Sequence, residues 1–231
     1  MWQELRTELR PKGLEIVTIA LDVGGVDAAA HFIDRANAEH PSLIDQAHVL
    51  DELYGVVNVP TGIWIDEEGM IVRPPEAAWP GKAVFRDFIP KELPPDADPW
   101  VVKALALTER IPAEPEKYAE ALRDWAEHGA ASRHVLSADA VLARSRPRPQ
   151  EDALAAAHFE LGQHLHRAGF GDDAVPHFRE AHRLQPDNWT YKRQAWSFAD
   201  PLQRPNDVYD GDWAGDVEKM GPENYHIVPD F

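Results

Sequence analysis

No cysteine occurs anywhere in the 231 residues. That absence excludes disulfides, thiolate nucleophiles and zinc-thiolate centres, so any redox chemistry would need groups that this chain does not supply. Positive charge is scarce as well: 23 Lys and Arg stand against 40 Asp and Glu, a formal net charge of -17. Such a field repels phosphate backbones and anionic lipid surfaces, which argues against nucleic acid and membranes as partners. Long apolar runs are also missing. None approaches the roughly 20 residues needed to span a bilayer, and MWQELRTELR is charged from Glu4 onward, unlike a secretory leader. Read as written, the chain is soluble and cytoplasmic. What is present is 44% hydrophobic residues, enough to build real cores in one large or two small domains.

Along the chain, Trp2, Leu5 and Leu9 share one helical face with no strand or cap before them. LEIVTIALD (Leu14 to Asp22) then reads as a buried parallel strand, being short, apolar and rich in β-branched residues. VDAAAHFIDRANAEH carries Ala29, Phe32, Ile33 and Ala36 at helical spacing, until Pro41 stops the pattern. SLIDQAHVLDELYG supplies a short apolar piece and a helical turn or two. VVNVPTGIWID and GMIVR flank the acidic turn Asp66-Glu67-Glu68-Gly69 and read as an antiparallel hairpin. WPGKAVFRDFIP suggests a further helix. This order predicts an α/β layer with one sheet and helices against it. From KELPPDADP onward the strand-like runs stop, and the spacing predicts helices over Trp100 to Ile111, Pro115 to His128, Ser137 to Ala143 and a hairpin over 151–188. The expected units are therefore 1–90, 91–199 and a turn-rich, wrapping tail over 200–231.

Residues 1–88 resemble the thioredoxin-like proteins, especially disulfide reductases and peroxiredoxin relatives. The resemblance rests on LEIVTIALD, PSLIDQAHVLDELYGV, Val59-Pro60-Thr61 and IDEEGMIVR in that order. It implies that Pro60 is cis and that Val59, Pro60 and Thr61 face an extended peptide. On the residues alone, Pro60 reads as a proline that blunts a strand edge. The family's cysteines precede its first helix, and here that strand and motif are absent, so two explanations stand: the start is internal to a longer thiol-disulfide oxidoreductase, or the domain has shed its active site and serves as a scaffold. His226 to Val228 would be another way to fill the gap.

The second half is similar to the tetratricopeptide repeat. His158 to Leu165 carry its leucine-glycine pair, Ala174 and Phe178 keep its later spacing, and Pro186 closes the unit. The resemblance implies a peptide groove lined by Phe159, Gln163, His166 and Arg167. The competing reading is a hairpin that only packs on the first domain.

Other constellations carry less. Among eleven histidines, His158, His164, His166, His177 and His182 fall in the hairpin, but none forms a three- or four-residue ligand pair within one helix. Asp207, Asp210, Asp212 and Asp216 fail the calcium-loop pattern at Val208. Ser132 and His134 lack a nucleophile turn, and Gly24-Gly25 lacks the lysine of a phosphate loop. The expectation is a redox-inactive protein- or peptide-binding scaffold, without catalytic residues, metal or cofactor. An uncovered sheet edge adds a possible homodimer.

Overall fold

The computed structural model describes residues 2–80, 93–145, 147–226 and 228–231. Helix α1 (Trp2–Leu9) buries Leu5 and Leu9 and leads through a short 3-10 turn into strand β1 (Thr18–Leu21). The expected strand from Leu14 is thus shorter: pairing begins only at Thr18, while Ile16 serves the core ahead of it. Helix α2 (Val26–Ala36), strand β2 (Ser42–Asp45) and helix α3 (Val49–Tyr54) follow. β1 and β2 are parallel, with Thr18 opposite Ser42 and Leu21 opposite Asp45. β3 (Thr61–Ile65) and β4 (Ile71–Ala77) form the antiparallel hairpin, closed by Asp66, whose carboxylate accepts from the Glu68 and Met70 amides. The register slips on both sides of Trp64.

The expected single sheet is instead two small ones. Among the described residues β1 pairs only with β2 and β3 only with β4, so the two sheets share no ladder. The helix expected over Trp79 to Pro90 lies largely outside the described residues.

The remainder is helical: α4 (Pro99–Arg110), α5 (Pro115–His128), α6 (Ala138–Arg144), α7 (Gln150–Arg167), α8 (Gly171–Leu184), α9 (Trp189–Ala199) and α10 (Trp213–Met220). Side-chain oxygens of Asp98, Ser137, Asn188 and Asp212 accept first-turn amides of α4, α6, α9 and α10, the usual way of satisfying those orphan donors. α7 and α8 pack along their length as a helical hairpin. A Cβ on Gly162 would stand 2.9 Å from the buried Phe178 ring, so a glycine is what lets the two helices approach.

Two hydrophobic cores result, and they do not divide at residue 91. One joins α4 and α7 to α10 around Phe159, Phe178, Tyr191 and Trp196, and draws Tyr209, Val217 and Tyr225 from the tail. The other joins α1, β3 and β4 to α5 through Leu5, Leu9, Trp64, Tyr118 and Leu122. α5 thus belongs with the strands, because its Tyr118 and Trp125 rings pack edge-on and stacked against Trp64. The 200–231 segment contains α10, and its Phe231 stacks on Trp64.

Candidate functional site

A cavity of about 590 Å³ opens between β1 and β3. Its walls include Val17, Thr18, Ile19 and Leu21 on one side, Val59 through Ile65 on the other, and Trp2, Tyr118, Leu122 and Trp125 from α1 and α5. Leu50, Tyr54 and Val56 come from α3 and the turn after it. The volume falls in the ordinary range of ligand sites.

The loop into β3 is held from several directions. The Val57 carbonyl accepts from the Trp189 amide at 2.7 Å, so it meets the N-terminus of α9. Asn58 Nδ2 donates to the Tyr225 carbonyl at 2.8 Å, its Oδ1 accepts from the Val59 amide, and Thr61 Oγ1 donates to the Asn58 carbonyl at 2.6 Å. The Val59-Pro60 bond is cis, and the Pro60 carbonyl accepts from the Ala78 amide at 3.2 Å. Gly62 is required by crowding: a Cβ there would collide with the Tyr118 hydroxyl and sit 2.9 Å from Ala78 Cβ. Trp64 donates its indole N–H to that hydroxyl at 3.1 Å, and burial pushes the Tyr118 hydroxyl up from its ordinary value.

Below the cavity lies a buried polar chain. His48 Nδ1 lies 2.8 Å from Asp51 Oδ2, His48 Nε2 lies 3.3 Å from Gln194 Oε1, and that oxygen accepts from the Val23 amide. It ties α3 and the β1-α2 turn to α9. The carboxylates of the cavity wall are engaged internally. Asp51 is held as above, and Glu15 is held at 2.6 Å by Arg6, which with the Ile16 amide pulls its carboxyl down to about 2. Nearby Glu52, by contrast, is raised to about 6, mainly by burial.

Of the residues expected to bind peptide, Val59, Pro60 and Thr61 line the cavity together. The other four do not form an open groove, and this corrects the expectation. Phe159 is stacked 4.1 Å from Tyr191 inside the core and Gln163 is fully buried. His166 stacks on Phe198 at 3.8 Å, and Arg167 donates to the Gln46 carbonyl at 2.9 Å. The resemblance placed Phe159 and Gln163 on a groove, but both are buried, and Tyr191 of α9 covers Phe159. His158 and His177 meet across α7 and α8, Nδ1 to Nδ1 at 2.9 Å, a contact that spacing within one helix cannot reveal. Among the described residues no group of three potential ligands surrounds them. Ser132 donates to Asp124 and not to His134, and Asp216 is paired with Lys192. Among the described residues, no helix is long and apolar enough to cross a membrane.

The chain is similar to the thiol-disulfide oxidoreductase ResA of Bacillus thuringiensis subsp. konkukian (strain 97-27) and of Bacillus cereus (strain ATCC 10987 / NRS 248). Each is 34% identical over 71 residues, which are 30% of this chain and 40% of the relative. The chain therefore spans less than half the length of these curated relatives. The likeness, weak and partial, supports the thioredoxin-like superfamily. No family model and no solved structure matches.

Proposed function

We propose that this chain is a binding module: a thioredoxin-like half whose Val59-Pro60-Thr61 wall holds an extended polypeptide, braced by a helical, tetratricopeptide-like half. The observation that carries this reading is the cavity itself, walled by those three residues and by β3, with its carboxylates already engaged. The thiol chemistry named for the relatives has no thiol here, so the chain binds and does not exchange disulfides by itself. The helical half supports the loop through Trp189 and Tyr225, and the β1-α2 turn through Gln194.

A labelled, unfolded polypeptide provides the test, with binding followed by fluorescence anisotropy. Val59→Asp places a charge in the cavity wall and abolishes binding, whereas Leu142→Asp, on an exposed position of α6, leaves it intact. Equal binding by both folded variants overturns the reading.

A second reading is favoured by the likeness to the ResA proteins: the chain forms part of a thiol-disulfide oxidoreductase whose cysteines lie upstream. Its test is to fuse an upstream strand bearing Cys-x-x-Cys to Met1 and assay insulin reduction. Activity that vanishes on Cys→Ser substitution supports it, and a folded but inactive fusion removes it.

A further inference from the structure

Away from the cavity, the α7-α8 hairpin brings two potential ligands together. His158 stands one turn after Ala155 and one turn before Gly162, and His177 stands in the same way between Ala174 and Ala181; all four small residues are buried. Small side chains on either side let the helices approach, and the fit of Gly162 against the Phe178 ring fixes their register. The two half-buried imidazoles are thereby carried toward each other on fixed backbones. Nδ1 lies 2.9 Å from Nδ1, the ring centroids are 5.2 Å apart and the planes are tilted by 31°. Among the described residues neither Nε2 is hydrogen-bonded, so either ring can carry its proton there and leave Nδ1 as a lone pair.

That arrangement selects a class of ligand. Two facing imidazoles offer nitrogen without oxygen or thiolate, which disfavours calcium and magnesium and suits copper, nickel or zinc. Imidazole nitrogens bind such ions at about 2.0–2.1 Å. Two bonds of that length at a right angle set their nitrogens about 2.9 Å apart, whereas tetrahedral bonds spread them to about 3.3–3.4 Å. The separation found here is the right-angled one, which belongs to tetragonal Cu²⁺, and Cu²⁺ also heads the affinity order of the divalent ions. The rings have only to pivot until both lone pairs meet at one point. Glu180, one turn beyond His177, brings a carboxylate within electrostatic reach of His158, while Arg183 holds its oxygens at 2.6 and 2.8 Å. It adds negative charge beside the pair without being a ligand, and the net charge of -17 favours a cation further.

We propose that His158 and His177 form a two-histidine Cu²⁺ site across α7 and α8, binding through their Nδ1 atoms with water in the remaining positions. The ion takes the place of the N–H···N contact of the free chain. The ring that donated there keeps its proton by moving it to its own Nε2, and the ion then clasps the two helices. The site is independent of the cavity and of the binding reading above.

Cu²⁺ titrated into the full chain, followed by electron paramagnetic resonance, provides the test. One equivalent gives a tetragonal spectrum split by two imidazole nitrogens and raises the urea midpoint, because the ion binds the folded hairpin. His158→Gln and His177→Gln each abolish the two-nitrogen pattern and weaken binding at least about tenfold, since losing even a supporting partner of a ligand costs about 10–100-fold. His164→Gln, on an exposed position of α7, leaves both readouts unchanged. Circular dichroism establishes that each variant is folded, and either of the two suffices if the other is not. The same spectrum from a folded His158→Gln or His177→Gln chain would show an adventitious ion only and overturn the proposal. A wild-type spectrum lacking two imidazole nitrogens overturns it without any variant, and displacement of the copper by equimolar zinc overturns the assignment to a tetragonal ion.

Discussion

Arg73 offers a direct test of how the strand hairpin is held. Its side chain is 1% exposed, yet carries a full charge. Nε and Nη2 donate to the two Glu76 oxygens at 2.5 and 2.9 Å, Nη1 donates to the His134 carbonyl at 2.8 Å, and Nη2 also reaches Asp230 at 3.0 Å. The guanidinium lies 4.6 Å from the Phe231 ring and 5.6 Å from Trp64, so it also supports the cavity wall. Glu76→Leu leaves this charge buried with only the exposed Asp230 as a counter-ion. Breaking a buried pair from one side costs about 3–5 kcal/mol, and the surviving Asp230 contact places this case near 3 kcal/mol. Replacing both partners, Arg73→Met with Glu76→Leu, removes the stranded charge and leaves chiefly an unpaired His134 carbonyl, a cost of about 1–2 kcal/mol. The Glu76 carboxyl is raised, with burial outweighing the attraction of Arg73, which is the condition under which an apolar pair competes well. Urea denaturation followed by tryptophan fluorescence reads the difference. With a slope of about 3 kcal/mol/M, Glu76→Leu lowers the midpoint by about 1 M and the double variant by roughly one third to two thirds of that. A double variant as unstable as Glu76→Leu would refute the argument from the stranded charge.

Three further outcomes follow from the same structure. Burial holds His182 and His226 each down to about 4, below the ordinary value near 6.5, so the unfolded chain binds protons that the folded chain refuses. Stability therefore falls as pH drops from about 6.5 toward 4, opposed only partly by Glu52, whose raised value of about 6 works in the other sense; a urea midpoint that rises over that interval would contradict this. Tyr118→Phe strands the buried Trp64 indole N–H and costs about 1–3 kcal/mol, whereas a change below about 0.5 kcal/mol in the same denaturation assay would show that the bond contributes little. Asn58→Ala removes the link to the Tyr225 carbonyl and the local bond to Val59, so limited proteolysis should cut the 56–61 loop faster; unchanged cleavage would show that the loop is held by its remaining contacts.

Much of the secondary structure was legible because its signals are local. α5 begins and ends where proline and glycine bound the amphipathic stretch, and the β3-β4 turn is announced by Asp66 through Gly69. The packing was less so. The repeat-like pattern of α7 makes Phe159 and Gln163 groove residues, yet both are buried, and for Phe159 the cover is Tyr191 of α9, a long-range contact. α5 reads as the second helix of a helical domain, yet Trp125 stacks 4.8 Å from Trp64 and makes it part of the strand core, a long-range match that no periodicity reports. The buried His48-Asp51-Gln194 chain is similarly silent in the sequence, since Gln194 lies 146 residues from His48. Val59, Pro60 and Thr61 could be singled out in advance, while the opposing wall of Val17, Thr18 and Ile19 could not, because the cavity exists only where two strands fail to pair.

The central claim is that an extended polypeptide is held in the cavity against Val59, Pro60 and Thr61. Chemical-shift mapping of the isotopically labelled chain, titrated with an unfolded polypeptide, tests it most directly. The account predicts changes concentrated at residues 17–21 and 59–65, including the Trp64 indole. Changes confined to the helical hairpin of α7 and α8, with β1 and β3 unmoved, would contradict it.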